Sequence, residues 1–352
     1  MKIRRKITVL VVDDSMLFRK TISKGLELDP SLEVIGTANN PYEARDKILE
    51  LRPDVMTLDV EMPRMTGIEF LKKLIPQYPL PVVMISSADI KVFDAINAGA
   101  VDFIEKPKLT NKNELESFYK ELILKVKIAS TARLKNKKAQ VKRHPIKKVS
   151  SPNLKSNNYI IAIGASTGGT EAVYSIIKSF TKDMPPILIV QHMPPVFTKM
   201  YSDRLNKNCA LNVKEAEDGD IIQSGSVYIA KGGFQMRVVV KGTKKILSVY
   251  EGAKVNGHCP SVDPMFNTVA DIYGPTSIGV ILTGMGTDGA RGLLKMKKSG
   301  AYTIGQDEES CIVYGMPKVA FNIGAVDVQK NILEIPSLII EHLNDLKGSK
   351  KR

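Results

Sequence analysis

The chain has 352 residues, 43% of them apolar, and a net charge of +14 from 51 Lys and Arg against 37 Asp and Glu. That length predicts about two domains. No apolar run reaches the roughly 18 residues of a membrane span, and Ile7–Val12, behind a charged N-terminus, is too short for a secretory signal. A cytoplasmic protein is expected. Eleven of the basic residues fall between Lys125 and Lys155, where there is no acid, so the rest of the chain carries only +3. The charge lies in one segment and argues against a basic nucleic-acid-binding face. Cys209, Cys259 and Cys311 are odd in number and far apart, which suits neither a disulfide framework nor a zinc site.

From residue 6 to 127, apolar runs alternate with amphipathic stretches. Strands are expected at Ile7–Val12, Glu33–Thr37, Val55–Leu58, Val82–Ile85 and Asp102–Ile104, with helices between and after them. Residues 128–157, rich in Lys, Arg, Ser, Asn and Pro, read as a linker extended by its own charge. Alternation resumes over 158–346, with strands at Tyr159–Ile163, Ile187–Gln191, Val227–Ala230, Ser277–Thr283 and Ala301–Gly305. Phe234–Val240 and Ile246–Tyr250, separated by Lys241–Lys245, predict an antiparallel hairpin. Residues 347–352 form a short tail. The fold class is α/β, with two doubly wound parallel-sheet domains over 1–127 and 158–346.

Acids and a lysine close the first set of strands. Asp13 and Asp14 follow strand one, Asp59 strand three, Ser86 and Ser87 strand four, and Lys106 strand five. In an open parallel sheet these positions share the carboxyl edge, where ligands collect. Three carboxylates there repel, and Mg²⁺ relieves this with oxygen ligands. A carboxylate beside Mg²⁺ can attack a phosphoryl group while a lysine stabilises the transferring oxygens. Each acid taken singly is more often an ordinary loop residue or helix cap, Asp14 before Ser15 in particular.

The set as a whole is the less accidental reading. Val11-Val12-Asp13-Asp14-Ser15, Leu58-Asp59-Val60-Glu61-Met62-Pro63 with Gly67, Met84-Ile85-Ser86-Ser87 and Phe103-Ile104-Glu105-Lys106-Pro107 resemble a two-component receiver domain of flavodoxin-like fold. The resemblance implies Asp59 as phosphoacceptor and Mg²⁺ on Asp14, Asp59 and the Glu61 carbonyl, with Asp13 acting through water. Ser86 and Phe103 become switch residues and Lys106 the phosphate partner.

The second region opens on Gly164-Ala165-Ser166-Thr167-Gly168, a G-x-S-x-G turn between an apolar strand and a helical pattern. Such a turn presents a serine at the tip of a strand-to-helix bend. Serine needs a base, and the base an orienting acid. Of four histidines, His144 is in the linker, His342 in the last helix and His258 in a loop; His192 closes a strand and is the better base. Asp288 follows Ser277–Thr283 in a glycine-rich turn. It serves equally as a cap of the next helix. A glycine-rich turn can also cradle phosphate. Ser166 breaks a dinucleotide fingerprint, however, and no Gly-Lys-Ser/Thr follows for a P-loop.

Longer motifs decide among these. Gly164–Gly169, Gln191-His192-Met193, Pro260-Ser261-Val262-Asp263, Leu282–Gly289, Gln306–Cys311 and Tyr314-Gly315-Met316-Pro317 are similar to the CheB-type protein-glutamate methylesterases of bacterial chemotaxis. The resemblance implies a Rossmann-like catalytic domain with Ser166 as nucleophile, His192 as general base and Asp288 as its orienter. The Met285 N–H becomes the oxyanion donor, with Thr167 as helper. It implies hydrolysis of glutamate γ-methyl esters and deamidation of glutamine on methyl-accepting chemoreceptors, and no cofactor for the esterase. A chemotaxis histidine kinase is the implied phosphodonor, and the unphosphorylated receiver is implied to cover the Ser166 cleft. Lys231, where the family tends to have Pro, and Cys259, where Arg is common, depart from the pattern and bear on substrate contacts. The competing readings are a DNA-binding response regulator, disfavoured by the absence of a helix-turn-helix pattern, and a phospho-regulated esterase of a small metabolite.

Overall fold

In the computed structural model, residues 5–87, 92–108, 111–134 and 158–349 are described. The chain divides into two units, residues 1–143 and 144–352. Most of the expected linker, 135–157, and the tail from 350 lie outside the described residues.

Five parallel strands build the first unit: β1 (Ile7–Val12), β2 (Leu32–Ala38), β3 (Val55–Asp59), β4 (Val82–Ser86) and β5 (Asp102–Glu105). Helices α1 (Met16–Glu27), α2 (Pro41–Leu51), α3 (Gly67–Leu74), α4 (Val92–Ala98) and α5 (Lys112–Ser130) alternate with them. The strand order is β2-β1-β3-β4-β5. Every residue of β3 and β4 is buried, as expected of inner parallel strands covered on both faces. The chain reverses its direction of travel between β1 and β3, which opens a crevice at their carboxyl ends. Gly67 starts α3 against this crevice; a Cβ there would run into the Asp59 carbonyl oxygen. Thr66 and Glu69 form a capping box that fixes the start of α3. Ser15, not Asp14, caps α1, so Asp14 has no capping role. Lys125 and Lys127, counted in the basic run, belong to α5 and pair with Asp102 and Asp29 at 3.0 and 2.8 Å.

The second unit follows the same logic with seven parallel strands. In chain order it runs β6 (Ile160–Ala165), α6 (Gly169–Ile177), β7 (Ile187–Gln191), α7 (Pro195–Asn208), β8 (Asn212–Glu215) and β9 (Ser226–Ile229). The hairpin β10 (Gln235–Lys241) and β11 (Lys244–Tyr250) precedes α8 (Val262–Tyr273), β12 (Ser277–Ile281) and α9 (Ala290–Lys298). Then come β13 (Tyr302–Gln306), α10 (Met316–Asn322), β14 (Val328–Lys330) and α11 (Ile335–Ser349). The order is β14-β13-β12-β6-β7-β9-β8. The chain leaves β6 toward β7 and later returns to β12 on its other side. That reversal puts the ends of β12, β6 and β7 side by side at a switch point. All residues of these three strands are buried.

Three details differ from the sequence reading. The hairpin turn is only Gly242-Thr243, because Lys241 pairs with Lys244; Gly242, at φ 61, supplies the left-handed step that a tight turn needs. Edge strands β8 and β14 add to the sheet. Both are short and partly exposed, so they lack the apolar run that marks the inner strands.

Candidate active site

Parallel pairing between β6 and β7 ends with Ala165 opposite Gln191. Ser166 and His192 therefore leave neighbouring strand ends together, tied by the His192 N–H donating to the Ala165 carbonyl at 3.2 Å. The Ser166 N–H donates to the Thr283 carbonyl at 3.0 Å, which binds the serine turn to the chain beyond β12. Gln191 Nε2 donates to the Ser166 carbonyl at 2.9 Å. Gly168 turns the chain into α6 at φ 76, and a Cβ there would press on Ile312. This left-handed step is open to glycine at least cost.

His192 Nε2 lies 2.8 Å from Asp288 Oδ2, and both side chains are buried. Asp288 is surrounded by donors. Oδ1 accepts from Ser261 Oγ at 2.7 Å, Asn256 Nδ2 at 2.8 Å and the Gly289 N–H at 3.0 Å. Oδ2 accepts from the Val262 N–H at 2.7 Å. Burial alone would raise its pKa. The bond and attraction of His192, with the Val262 and Ser261 donors, outweigh burial and hold the carboxyl well below its ordinary range. Asp288 is thus a fixed anion, suited to orient an imidazole and to offset its positive charge. His192 Nδ1 is buried and has no hydrogen-bond partner among the described residues. No hydrogen bond joins it to the half-buried Ser166 hydroxyl. Such contacts are often long before substrate binds.

Met285 sits in the turn after β12, with 44% of its surface exposed. Its N–H makes no hydrogen bond among the described residues, so it remains available to an incoming oxygen. Thr167 is buried, and its carbonyl accepts from Thr283 Oγ1 at 3.1 Å. Sequence reasoning gave no role to Asn256, Ser261, Gln191 or Gln306. Ser261, Gln191 and Gln306 lay within the quoted motifs, which was the available signal. Gln306 Oε1 accepts from the Thr283 N–H at 2.8 Å and steadies the same turn.

The edge of the first sheet gathers a different set. Asp13 and Asp59 are buried and Asp14 exposed, with one carboxylate oxygen of each within 4.8 Å of the others. Lys106 Nζ reaches Asp13 Oδ2 at 2.9 Å and Asp59 Oδ2 at 2.7 Å. The Glu61 N–H donates to Asp59 Oδ1 at 3.3 Å. Burial pushes the Asp59 carboxyl up to about 6; the bond to Lys106 opposes this and the charge of Asp13 adds to it. Three hard oxygen donors around a crevice fit a divalent cation such as Mg²⁺. Ser86, buried at the end of β4, donates its hydroxyl to the Ser87 carbonyl at 2.7 Å. Phe103 is buried on β5, with Lys125 Nζ 5.1 Å from its ring centre.

A doubly wound sheet with an acid pocket and a lysine, followed by a second α/β unit whose carboxyl edge holds serine, histidine and aspartate, defines a response regulator with an enzymatic effector. Comparison with known proteins gives the family. A profile described as CheB methylesterase matches residues 161–339, and one described as response regulator receiver domain matches 9–118. The chain belongs to the CheB methylesterase family and carries a receiver domain ahead of the catalytic one. A protein-glutamate methylesterase/protein-glutamine glutaminase of Syntrophomonas wolfei is 53% identical over 97% of this chain and 99% of its own length. Its counterpart in Syntrophotalea carbinolica is 50% identical with the same coverage. The CheB methylesterase catalytic domain of Thermotoga maritima is 41% identical, with a TM-score of 0.51, over 52% of this chain and 97% of that domain. Among the described residues no helix is long and apolar enough to cross a membrane.

Proposed function

We propose that this chain hydrolyses glutamate γ-methyl esters and deamidates glutamines on methyl-accepting chemoreceptors, in the cytoplasm, and that phosphorylation of its receiver raises the rate. The observation that carries the reading is the His192–Asp288 pair beside the Ser166 strand end. The full-length relatives named for both activities supply the substrate class.

Ser166 Oγ attacks the γ-carbonyl carbon while His192 takes the hydroxyl proton. The carbonyl oxygen becomes an oxyanion facing the Met285 N–H, with Thr167 beside it. Asp288 holds the imidazole and balances its charge. The C–O bond to methanol breaks as His192 returns the proton to the leaving oxygen. Water then attacks the acyl-enzyme, losing a proton to His192. The Ser166 Oγ–acyl bond breaks as His192 returns that proton to Oγ, and the glutamic acid side chain leaves as its carboxylate after giving a proton to solvent. A glutamine substrate gives the same acyl-enzyme with ammonia as leaving group.

In the receiver, Asp59 is the proposed phosphoacceptor. Asp13, Asp14 and Asp59, with the Glu61 carbonyl, would hold Mg²⁺, which when bound neutralises charge on the phosphoryl oxygens. Lys106 pairs with the phosphoryl group, and Ser86 and Phe103 rearrange around it. A chemotaxis histidine kinase is the proposed donor. Methanol release from methylated receptor membranes tests both parts. Ser166→Ala should lower the rate by roughly 10⁴ or more, and Asp59→Ala should remove the gain produced by a phosphodonor. An active Ser166→Ala protein would overturn the nucleophile assignment. Release from small free esters but never from receptors would select a metabolite esterase instead.

A further inference from the structure

His258 has no part in the mechanism above, yet its ring lies flat on the base. The His192 and His258 ring centres are 3.7 Å apart, with planes 10° from parallel. The presentation of His258 is built with care. Val255 and His258 exchange both backbone hydrogen bonds, at 3.0 and 2.9 Å, around Asn256 and Gly257 at φ 52 and 84. Two left-handed residues in an Asn-Gly pair make a type I′ turn, the tightest hairpin connection. The same turn sends Asn256 Nδ2 to both Asp263 Oδ2 and Asp288 Oδ1, at 2.7 and 2.8 Å. Buried Gln235 secures it from below: Nε2 donates to the carbonyls of Ala253 and His258, and Oε1 accepts from the Ser261 N–H. One short turn thus grips both members of the His192–Asp288 pair.

We propose that His258 is a positioning residue of the hydrolytic site, holding the plane of the His192 imidazole by stacking so that Nε2 stays on Asp288 and Nδ1 stays free to take the serine proton. A single hydrogen bond at Nε2 fixes one atom of the ring, whereas χ2 of histidine is a broad torsion. A flat contact fixes the plane. The His258 ring makes no hydrogen bond among the described residues, so stacking is its main interaction. The charged and titratable groups that act on it are His192, Asp288 and Lys254. Burial and the neighbouring His192 lower its pKa to about 4, although Asp288 opposes them. At neutral pH it therefore presents an uncharged π face, which tolerates the imidazolium that His192 becomes.

This inference rests on the esterase reading, and its test separates the two. Full-length phosphorylated protein is assayed for methanol release as wild type, His258→Leu and His258→Phe. Leucine fills similar space without a plane; phenylalanine restores the plane without a titratable group. His258→Leu should lower kcat about tenfold or more with KM little changed, and His258→Phe should recover most of the loss. Equal activity of Leu and Phe variants, or a loss confined to KM, overturns the positioning role; the second outcome makes His258 a substrate contact. His258→Met replaces the Leu variant should that protein not fold. Nitrogen-15 NMR of the His192 ring is read alongside. One tautomer, with the proton on Nε2, is expected in wild type and the Phe variant, and a mixture in the Leu variant. Unchanged tautomers in all three overturn the proposal even if wild type releases no methanol, an outcome that by itself sinks the esterase reading.

Discussion

Asp59, the last residue of β3, and Asp288, in the turn between β12 and α9, both serve the carboxyl edge of a parallel sheet, and both are buried. Their carboxyl groups are nevertheless driven in opposite directions. Asp59 meets one cation and one distant N–H, shares the crevice with Asp13, and is raised to about 6. Asp288 accepts from Ser261, Asn256, Val262, Gly289 and His192 and is lowered. Burial penalises both anions; at Asp288 the bond and charge of His192, with the Val262 and Ser261 donors, outweigh it, whereas at Asp59 the neighbouring Asp13 charge adds to it against Lys106. The pattern suits the proposed tasks. A phosphoacceptor must keep an oxygen available, whereas an orienting acid works best with every lone pair engaged.

The contrast can be broken at several points. The largest effect is expected at Asp288→Asn, which keeps the shape but removes the charge that selects the imidazole tautomer. A fall in kcat of about 10⁴ should follow in the methanol-release assay. Removing one donor should do less. Ser261→Ala takes away a bond to an ionised group and should lower unfolding stability by about 1.5–3 kcal/mol in denaturant titration. In the receiver, Lys106→Met removes the main group opposing burial, so carbon-13 NMR should find the Asp59 carboxyl titrating above about 6. A lower value would show that Lys106 does not govern this edge.

The smallest effect concerns His258. Its pKa falls from the usual 6.5 to about 4 on folding, so between those values the unfolded chain binds more protons than the folded one. Stability contributed by this group is complete above 6.5 and declines as pH drops toward 4. His342 shifts in the same direction, so the informative quantity is a difference. His258→Phe should flatten the acid-side decline in thermal stability of the C-terminal unit relative to wild type, leaving the His342 share.

Much was legible from local pattern. Apolar runs located the inner strands, because a parallel strand covered on both faces must be apolar along its length. Turn residues at the strand ends picked out Asp13, Asp59, Lys106, Ser166, His192 and Asp288. The edge strands β8 and β14 escaped because half-exposed strands carry no continuous apolar signal. Asn256 and His258 escaped because Asn-Gly in a loop announces a turn but not what the turn faces.

The amino-acid sequence by itself determined which chemical groups stand at the ends of the strands, since strand periodicity and glycine turns are properties of neighbouring residues. Tertiary structure alone decided which of those ends meet. His192 and Asp288 are 96 residues apart and touch only because β6 lies between β7 and β12. The donors that hold Asp288 ionised come from a hairpin turn and a helix start 25–32 residues away. Sheet order and the convergence of loops are settled by burying the whole core at once, and no local window of sequence contains that information.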